Sequence, residues 1–313
     1  MDGESFASGV APELLTPSAS PDSCPSCAAK EAPLAEEFIY ALGKLEVRFP
    51  SVGIEREFQQ RQARLPESLA PGSNRGSQIK TVLQANRHLV GRLCYVLLVG
   101  GVPAYIMVAT GSHVREAILE GLENAGEIDR WCVAIGRRGP LAGPGTCGGV
   151  LAPILFCDQL YIFSLAEWEV SLEQQVESAL KARKIDRKTF AGVAGDLFAR
   201  VIQSTENVGA TDAQRALNYL LMQHPGLFLA AAERSSKQIL DRVETRPIQG
   251  LGTRRLIAVV VSFVDLTTAV PERLFTRVDV TEEWPFVADG PEGGRAQLGL
   301  SPFVENMLLG TAY

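Results

Sequence analysis

Period-two and helical patterns occupy different stretches of this chain, and that segregation limits its fold more than any other feature. Before Leu165 the apolar runs are short and strand-like. In Phe38 to Phe49, Leu45, Val47 and Phe49 alternate with charged residues, the period of a half-buried strand. Cys94 to Val108 reads as a hairpin turning at Gly100-Gly101, a pair that tolerates positive φ at both central positions. Trp131 to Ile135, Val150 to Phe156 and Gln159 to Phe163 read as further strands. From Leu165 the pattern is helical, predicting helices near 165–183, 187–205, 212–223 and 226–238. Two strands then return, Arg254 to Asp265 and Glu272 to Val280. Strands and helices that cluster rather than alternate predict an α+β class. The expected form is a mixed sheet with hairpins packed against a helical bundle, early and late strands sharing that sheet.

Local punctuation fills in this frame. Ser51 caps a helix to about Arg64, a second helix runs from about Gln78 to Leu89, and Ser112 opens a third to about Asn124. Thr211-Asp-Ala-Gln214 is a capping box, in which the Thr hydroxyl and the Gln amide satisfy orphan N–H groups. The stretch Gly136 to Gly149 around Cys147 is a Gly/Pro-rich loop. Three segments follow from this reading. Residues 1–35 are a Ser/Pro-rich, mostly flexible segment, 36–286 one α+β unit with the 165–238 bundle inserted between strands, and 287–313 a tail.

Charge and hydropathy exclude several classes. The formal charge of −6 gives no electrostatic footprint for nucleic acid or an anionic membrane. The longest apolar run, Cys94 to Val108, is interrupted by Gly100, Gly101 and Pro103 and is too short to span a bilayer. Residues 1–20 lack a basic and then apolar export signal, so a cytoplasmic location with reduced cysteines is expected.

Cys24 and Cys27 stand two residues apart, so both thiolates can face one point, which suits a metal, a disulfide or a redox couple. Reduced cysteines favour a metal. Cys94 at the start of a hairpin and Cys147 in the Gly-rich loop would complete a closed, structural Cys₄ zinc site with that pair. Cys132 and Cys157 lie inside apolar strands and read as core thiols. His88, His113 and His224 fall on a helix surface, after a cap and before Pro225, places of solvation or capping rather than catalysis. No Gly-x-Ser-x-Gly is present, and Gly143 to Gly149 lacks the Lys-Ser/Thr of a phosphate loop. Asp212, Arg215 and Asn218 recur every three residues on one helix. Their plain reading is a helix-start acid with an Asp–Arg pair, and their sharper one a face that recognises a peptide backbone. Arg137-Arg138 and Arg254-Arg255 read as solvated pairs that could meet an acidic peptide, and Glu282-Glu283 as a wet strand end.

Several stretches together resemble the domain of unknown function at the C-terminus of cyanobactin maturation proteases of the PatG type. They are Phe38 to Ser51, Arg92 to Leu97, Arg138-Gly-Pro140, Cys147-Gly-Gly149 and Asp158 to Phe163. Asn207-Val-Gly-Ala-Thr-Asp-Ala-Gln-Arg-Ala-Leu-Asn-Tyr-Leu220 matches most strongly, supported by Glu244 to Pro247, Gly252 to Arg254 and Arg277 to Phe286. The family places cysteines where Cys24, Cys27, Cys94 and Cys147 stand, and supplies no catalytic residues to carry over. The resemblance implies a non-catalytic, zinc-binding accessory protein in the biosynthesis of ribosomally made, modified peptides. Its partner would be a precursor peptide or a separately encoded maturation enzyme, because the sequence includes no protease domain. The alternative is a peptide-modifying enzyme acting through Cys147 or the Asp212/Arg215/Asn218 face. The apolar stretch Pro302 to Leu309 is one candidate contact for a homodimer.

Overall fold

A computed structural model describes residues 37–65, 75–122, 130–202, 207–248, 253–288 and 299–300. In the first half, β1 (Phe38–Arg48) pairs antiparallel with β2 (Cys94–Val99), and β2 with β3 (Val102–Ala109). β3 runs parallel to β5 (Pro153–Ser164), β5 pairs antiparallel with β4 (Arg130–Leu141), and β4 closes onto β1. The result is a closed barrel of order β1-β2-β3-β5-β4. With helix α3 (Ser112–Gly121) between the third and fourth strands, this is the plan of an OB-type barrel.

Alternation along each strand sends one set of side chains inward. Ile39, Ala41, Tyr95, Leu97, Tyr105, Met107, Cys132, Ala134, Leu155 and Cys157 fill the interior. Helices α1 (Val52–Gln62), α2 (Arg75–Ala85) and α3 add Phe58, Leu83 and Ile118 to the same core. Ser51 caps α1 as its sequence predicts, its Oγ accepting from the Ile54 N–H at 3.4 Å. Gly100 and Gly101 take φ of 59° and 81°, the two left-handed residues of a primed hairpin turn.

The outer face of β1 and β4 is also apolar, and the helical segment covers it. Tyr40, Leu42, Val133 and Ile135 pack against Trp168 and Leu172 of α4 (Leu165–Arg183), Phe190 and Phe198 of α5 (Arg187–Ile202), and Phe228 of α7 (Pro225–Arg234). Each such side chain, fully buried, contributes about 1.5–3 kcal/mol. The helices α4 and α6 (Asp212–Gln223) keep the predicted bounds. Both open with capping boxes, Ser164 with Glu167 and Thr211 with Gln214.

The late strands do not join the early ones. β6 (Gln238–Ile248), β7 (Leu256–Asp265) and β8 (Pro271–Asp279) form a separate antiparallel sheet, with short β9 (Phe286–Val287) and β10 (Gly299–Leu300) pairing β8. The expected shared sheet is therefore two sheets. The physical reason is closure: β4 bonds to β1 and completes the barrel ring, so the late strands make a sheet of their own. Strand β6 occupies residues that include the predicted end of a helix at 238. It is an edge strand bearing Arg242, Glu244, Arg246 and Pro247, and its charges hide the period-two signal. β4 also runs on to Leu141 through what reads as loop, and the two predicted strands on either side of Cys157-Asp158 are one strand, β5. All of these elements lie within the compact unit Glu36–Tyr313. Among the described residues no helix is long and apolar enough to cross a membrane. The expected contact Pro302 to Leu309 lies outside the described residues.

Candidate functional site

The residues of the strongest motif meet at an opening in the edge of β1. Strand β1 pairs with β2 only from Lys44 onward, which leaves the Tyr40 N–H and C=O without partners on that side. The Tyr40 N–H donates to the Gly209 carbonyl at 3.0 Å, and the Asn218 Nδ2 donates to the Tyr40 carbonyl at 2.9 Å. Asn207 Nδ2 in turn donates to Asn218 Oδ1 at 2.6 Å. Gly209 has φ of 72°, and a Cβ there would run into the Tyr40 carbonyl, so glycine is needed on both grounds. One turn away, Arg215 is 1 % exposed and donates to three carbonyls: Val280 at 2.8 Å, Glu283 at 3.1 Å, and Glu282. Its guanidinium lies over the Phe38 ring and pairs with Asp212 at 3.4 Å. Burial lowers the Arg215 pKa to about 10, with Asp212 opposing the shift, so it stays charged at neutral pH.

This clamp fixes residues 280–283 against the barrel and brings two carboxylates together. Asp158 is the extra residue of a bulge in β5, since Ile135 faces Gln159 while Gly136 faces Cys157. Thr110 Oγ1 donates to Asp158 Oδ1 at 2.7 Å, and His113 Nε2 lies 2.7 Å from the Asp158 carbonyl. Asp158 Oδ2 and Glu283 Oε1 are both buried, and among the described residues neither accepts a hydrogen bond. Burial first, and then the Asp158 charge, push the Glu283 carboxyl above its ordinary pKa. The Arg137 charge opposes this, with its Nε 3.7 Å from Asp158 Oδ2. Trp284, next in the chain, meets Tyr40 and Tyr161 edge-on at 6.0 and 6.3 Å. Tyr161 is 49 % exposed, so the seam reaches the surface as an aromatic rim beside an acid pair.

The cysteines divide differently. Cys94 and Cys147 are joined as a disulfide across 53 residues, with Cα atoms 5.5 Å apart. For this pair the expectation of reduced thiols does not hold. The bond ties the loop after β4 over the outer face of β2 and β3, where Val96, Ile106, Ala142, Val150 and Ala152 make a small apolar cluster. That face carries ligands in many OB-type barrels, and here the chain's own loop roofs it. Cys24 and Cys27 lie outside the described residues. Among the described residues no group of three or more His, Cys, Asp or Glu is placed to hold a metal, so the described half of the expected zinc site is the Cys94 and Cys147 pair alone. Cys132 and Cys157 are buried core thiols, Cys157 pushed up to about 12 chiefly by burial and Cys132 higher still.

The peptide-recognition reading of Asp212, Arg215 and Asn218 is corrected by these contacts. Arg215 and Asn218 are each 1 % exposed, and the backbone they recognise is the chain's own. Asp212 pairs with Arg215 and Arg255. The enzymatic reading of Cys147 fails on its disulfide and its burial. Arg138 pairs with Glu37, and Arg254 with the buried Asp279. His88 meets Glu57 at 3.1 Å, and His224 Nδ1 accepts the Leu227 N–H, capping α7 as its place before Pro225 suggests. A cleft of about 310 Å³ between α1 and α2, lined by Phe49, Phe58, Gln59, Gln62 and Gln78 among others, contains none of the motif residues past Ser51. The reading of Glu282-Glu283 as a wet strand end missed the acid pair. Its one trace was the polar break at Asp158 within an apolar strand.

Comparison with known proteins agrees with this arrangement. No curated protein matches the chain. A solved structure described as "PatG Domain of Unknown Function" superposes with a TM-score of 0.60 at 18% identity, covering 84% of this chain and 99% of that one. At that identity the likeness speaks for the fold. The family described as PatG Domain matches residues 38–239, from the first residue of β1 to the second of β6, and so takes in the barrel, the bundle and the Asn207 to Asn218 clamp. That match spans more than half of the sequence, and the chain belongs to the PatG domain family.

Proposed function

We propose that this protein is a non-catalytic accessory component of the biosynthesis of ribosomally made, modified peptides, and that it binds a precursor peptide or a processing enzyme. The observation that carries the reading is how the motif residues are used. Gly209, Arg215 and Asn218 hold the chain's own backbone and Asn207 braces the Asn218 side chain, so their pattern serves a docked helix and seam. The described cysteines and histidines support the same reading. Two thiols are joined, two are buried with raised pKa values, and each histidine is engaged in an ion pair, a carbonyl contact or a cap. A nucleophile needs an activating base within reach, and these groups are not so arranged. The test is capture of the cognate precursor peptide by the full chain, followed by mass measurement of the recovered peptide. Capture with unchanged mass is expected; a mass change would establish conversion, and no capture of either precursor or maturation enzyme would end the proposal.

A structural zinc ion belongs to the same proposal. Cys94 and Cys147 fit such a role, because once reduced their side chains converge from Cα atoms 5.5 Å apart. Cys24 and Cys27 would supply the other two thiolates. Such a closed site cross-links segments and leaves no position for an activated water. Zinc measured in protein purified under reducing conditions, with the Cys94–Cys147 bond open, should approach one equivalent, and Cys24→Ser should abolish it. Zinc-free protein with four titratable thiols at these positions would remove the metal from the proposal.

A further inference from the structure

The loop between β4 and β5 is built as a flap with a fixed base and a tied tip. At the base Leu141 pairs with Pro153, and the Ala142 N–H donates to the Ala152 carbonyl at 3.0 Å. Beyond it, Gly143-Pro-Gly-Thr-Cys-Gly-Gly149 has no large apolar side chain. Among the described residues its backbone bonds close within the flap, from the Thr146 N–H to the Gly143 carbonyl at 2.9 Å and from the Gly149 N–H to the Thr146 carbonyl at 3.0 Å. Its apolar anchors, Ala142, Val150 and Ala152, are small. What joins the tip to the barrel is the bond between Cys147 and Cys94. That bond also holds an unfavourable backbone. Cys147 has φ of 51° and ψ of 38°, and Gly148 and Gly149 follow at φ of 70° and 89°. Left-handed backbone is open to glycine but costs a residue that has a Cβ, and it persists only where the surroundings impose it.

Beneath the flap, Val96, Ile106 and Ile154 stand side by side across β2, β3 and β5. Leu141 and Leu151, at the flap's base, are already 67 % and 68 % exposed. We propose that the Cys94–Cys147 bond is a redox-operated latch. Intact, it keeps the flap over the outer face of β2 and β3; reduced, it lets the flap swing from its base and uncover that face. The step is exchange with a dithiol. One thiolate of the dithiol attacks a sulfur of the pair, which forms a mixed disulfide and releases the other cysteine as a thiolate. The dithiol's second thiolate then attacks the mixed disulfide, closes a disulfide within the reductant and releases the second cysteine. Two electrons and two protons pass from the dithiol to the pair, leaving Cys94 and Cys147 as thiols. Opening follows because Cys147 leaves its left-handed conformation and the flap regains chain entropy. Burial of Val96 and Ile106 by Ala142, Val150 and Ala152 is too small to offset the ordering of the whole flap. The paired base keeps the opening local and reversible.

The experiment uses the full chain with the bond formed, and chelator is present throughout so that zinc on the freed thiols cannot replace the tie. Cys94 and Cys147 are 8 % and 4 % exposed, so the first measurement is whether a dithiol reaches them in the folded chain. Dithiothreitol without denaturant is expected to free both thiols and to raise the rate of subtilisin cleavage within residues 142–152 by about tenfold. Fluorescence of a dye that binds apolar surface should rise in parallel, with the far-ultraviolet circular dichroism unchanged. Removing the dithiol and adding oxidised glutathione should restore protection. The Cys94→Ser/Cys147→Ser variant should be cleaved at the fast rate with or without dithiol, and reversibility in the unaltered chain tests the latch even where that variant fails to fold. A bond reduced only in denaturant, a flap equally protected after reduction, or loss of the circular dichroism on reduction overturns the latch. None of these outcomes bears on capture of the precursor peptide, so the accessory role stands or falls by its own test.

Discussion

Arginine serves opposite purposes at the barrel seam and on the open sheet. Arg215 is 1 % exposed, donates to three carbonyls of residues 280–283 and stacks on Phe38, so its charge organises the interior. Arg242, Arg246, Arg273 and Arg277 stand in two cross-strand rows, and the Arg242 side chain, 63 % exposed, pairs with Asp241 and Glu244 at the surface. A buried guanidinium needs every partner it has, because nothing replaces a lost hydrogen bond. A half-exposed one exchanges partners with water at small cost. Burial, rather than residue type, therefore sets what the loss of an arginine costs this protein.

The largest expected effect follows from that asymmetry. Arg215→Met should cost about 3–5 kcal/mol, because three buried carbonyls lose a charged donor at once. At 2–4 °C per kcal/mol for a domain of this class, the midpoint of thermal unfolding should fall by roughly 10 °C. Gly209→Ala should rank close behind, since it meets both positive φ and the Tyr40 carbonyl. Arg242→Gln and Arg277→Gln should stay within about 0.5 kcal/mol of the unaltered chain. Thermal or urea melts of the four variants break the comparison if the inner and outer arginines prove equally costly.

The tie between Cys94 and Cys147 comes next. Separating two residues 53 apart in sequence restores chain entropy to the unfolded state, worth about 2–4 kcal/mol. Oxidised protein should lose this stability on treatment with reductant, and the Cys94→Ala/Cys147→Ala variant should be indifferent to it. Protein kept reduced and supplied with zinc should instead respond to chelator, and Cys24→Ser should reproduce that response. Limited proteolysis within residues 142–152 is the direct readout, since the loop covers the Val96 and Ile106 face. Resistance unchanged by reductant, chelator or either variant would show that apolar packing alone holds the loop.

Helices announce themselves through local chemistry, and here they were legible. The start of α6 follows from the Thr211 capping box and α4 from the change to a helical pattern at Leu165, while the cap at Ser51 and the turn at Gly100-Gly101 follow from single residues. Barrel closure was not legible, because pairing β4 with β1 and β3 with β5 depends on contacts between distant segments. The same holds for the clamp. Asp212, Arg215 and Asn218 were correctly singled out as a polar helix face, but sequence spacing cannot tell a peptide backbone from the chain's own. The partners of Arg215 lie 65 to 68 residues away, and that of Asn218 lies 178 away. Glu283 was read as solvated for the same reason, since the bulge that presents Asp158 to it exists only once β4 and β5 pair.

The smallest effect tests whether the acid pair at the seam belongs with the buried clamp or with the exposed face. The Glu283 carboxyl is raised above its ordinary value of 4.5, first by burial and then by Asp158, so the folded chain holds that proton more tightly than the unfolded chain does. Between the unfolded and the raised folded pKa the folded state binds the extra proton, and stability falls as pH rises through that window. Above the folded pKa the penalty of an ionised Glu283 beside Asp158 is fully present; below about 4.5 it is absent. Glu283→Gln removes the titration and lets a neutral amide donate to Asp158 Oδ2. The variant should therefore be more stable than the unaltered chain at pH 7 to 8, with an advantage that shrinks as the pH falls toward 4.5. Only the difference between the two proteins is informative, because other carboxylates titrate in both. Paired urea melts across that range supply it. A constant difference, or a variant that loses stability at pH 7, would mean that Glu283 is solvated like the outer arginines, and that the clamp ends at the carbonyls Arg215 holds.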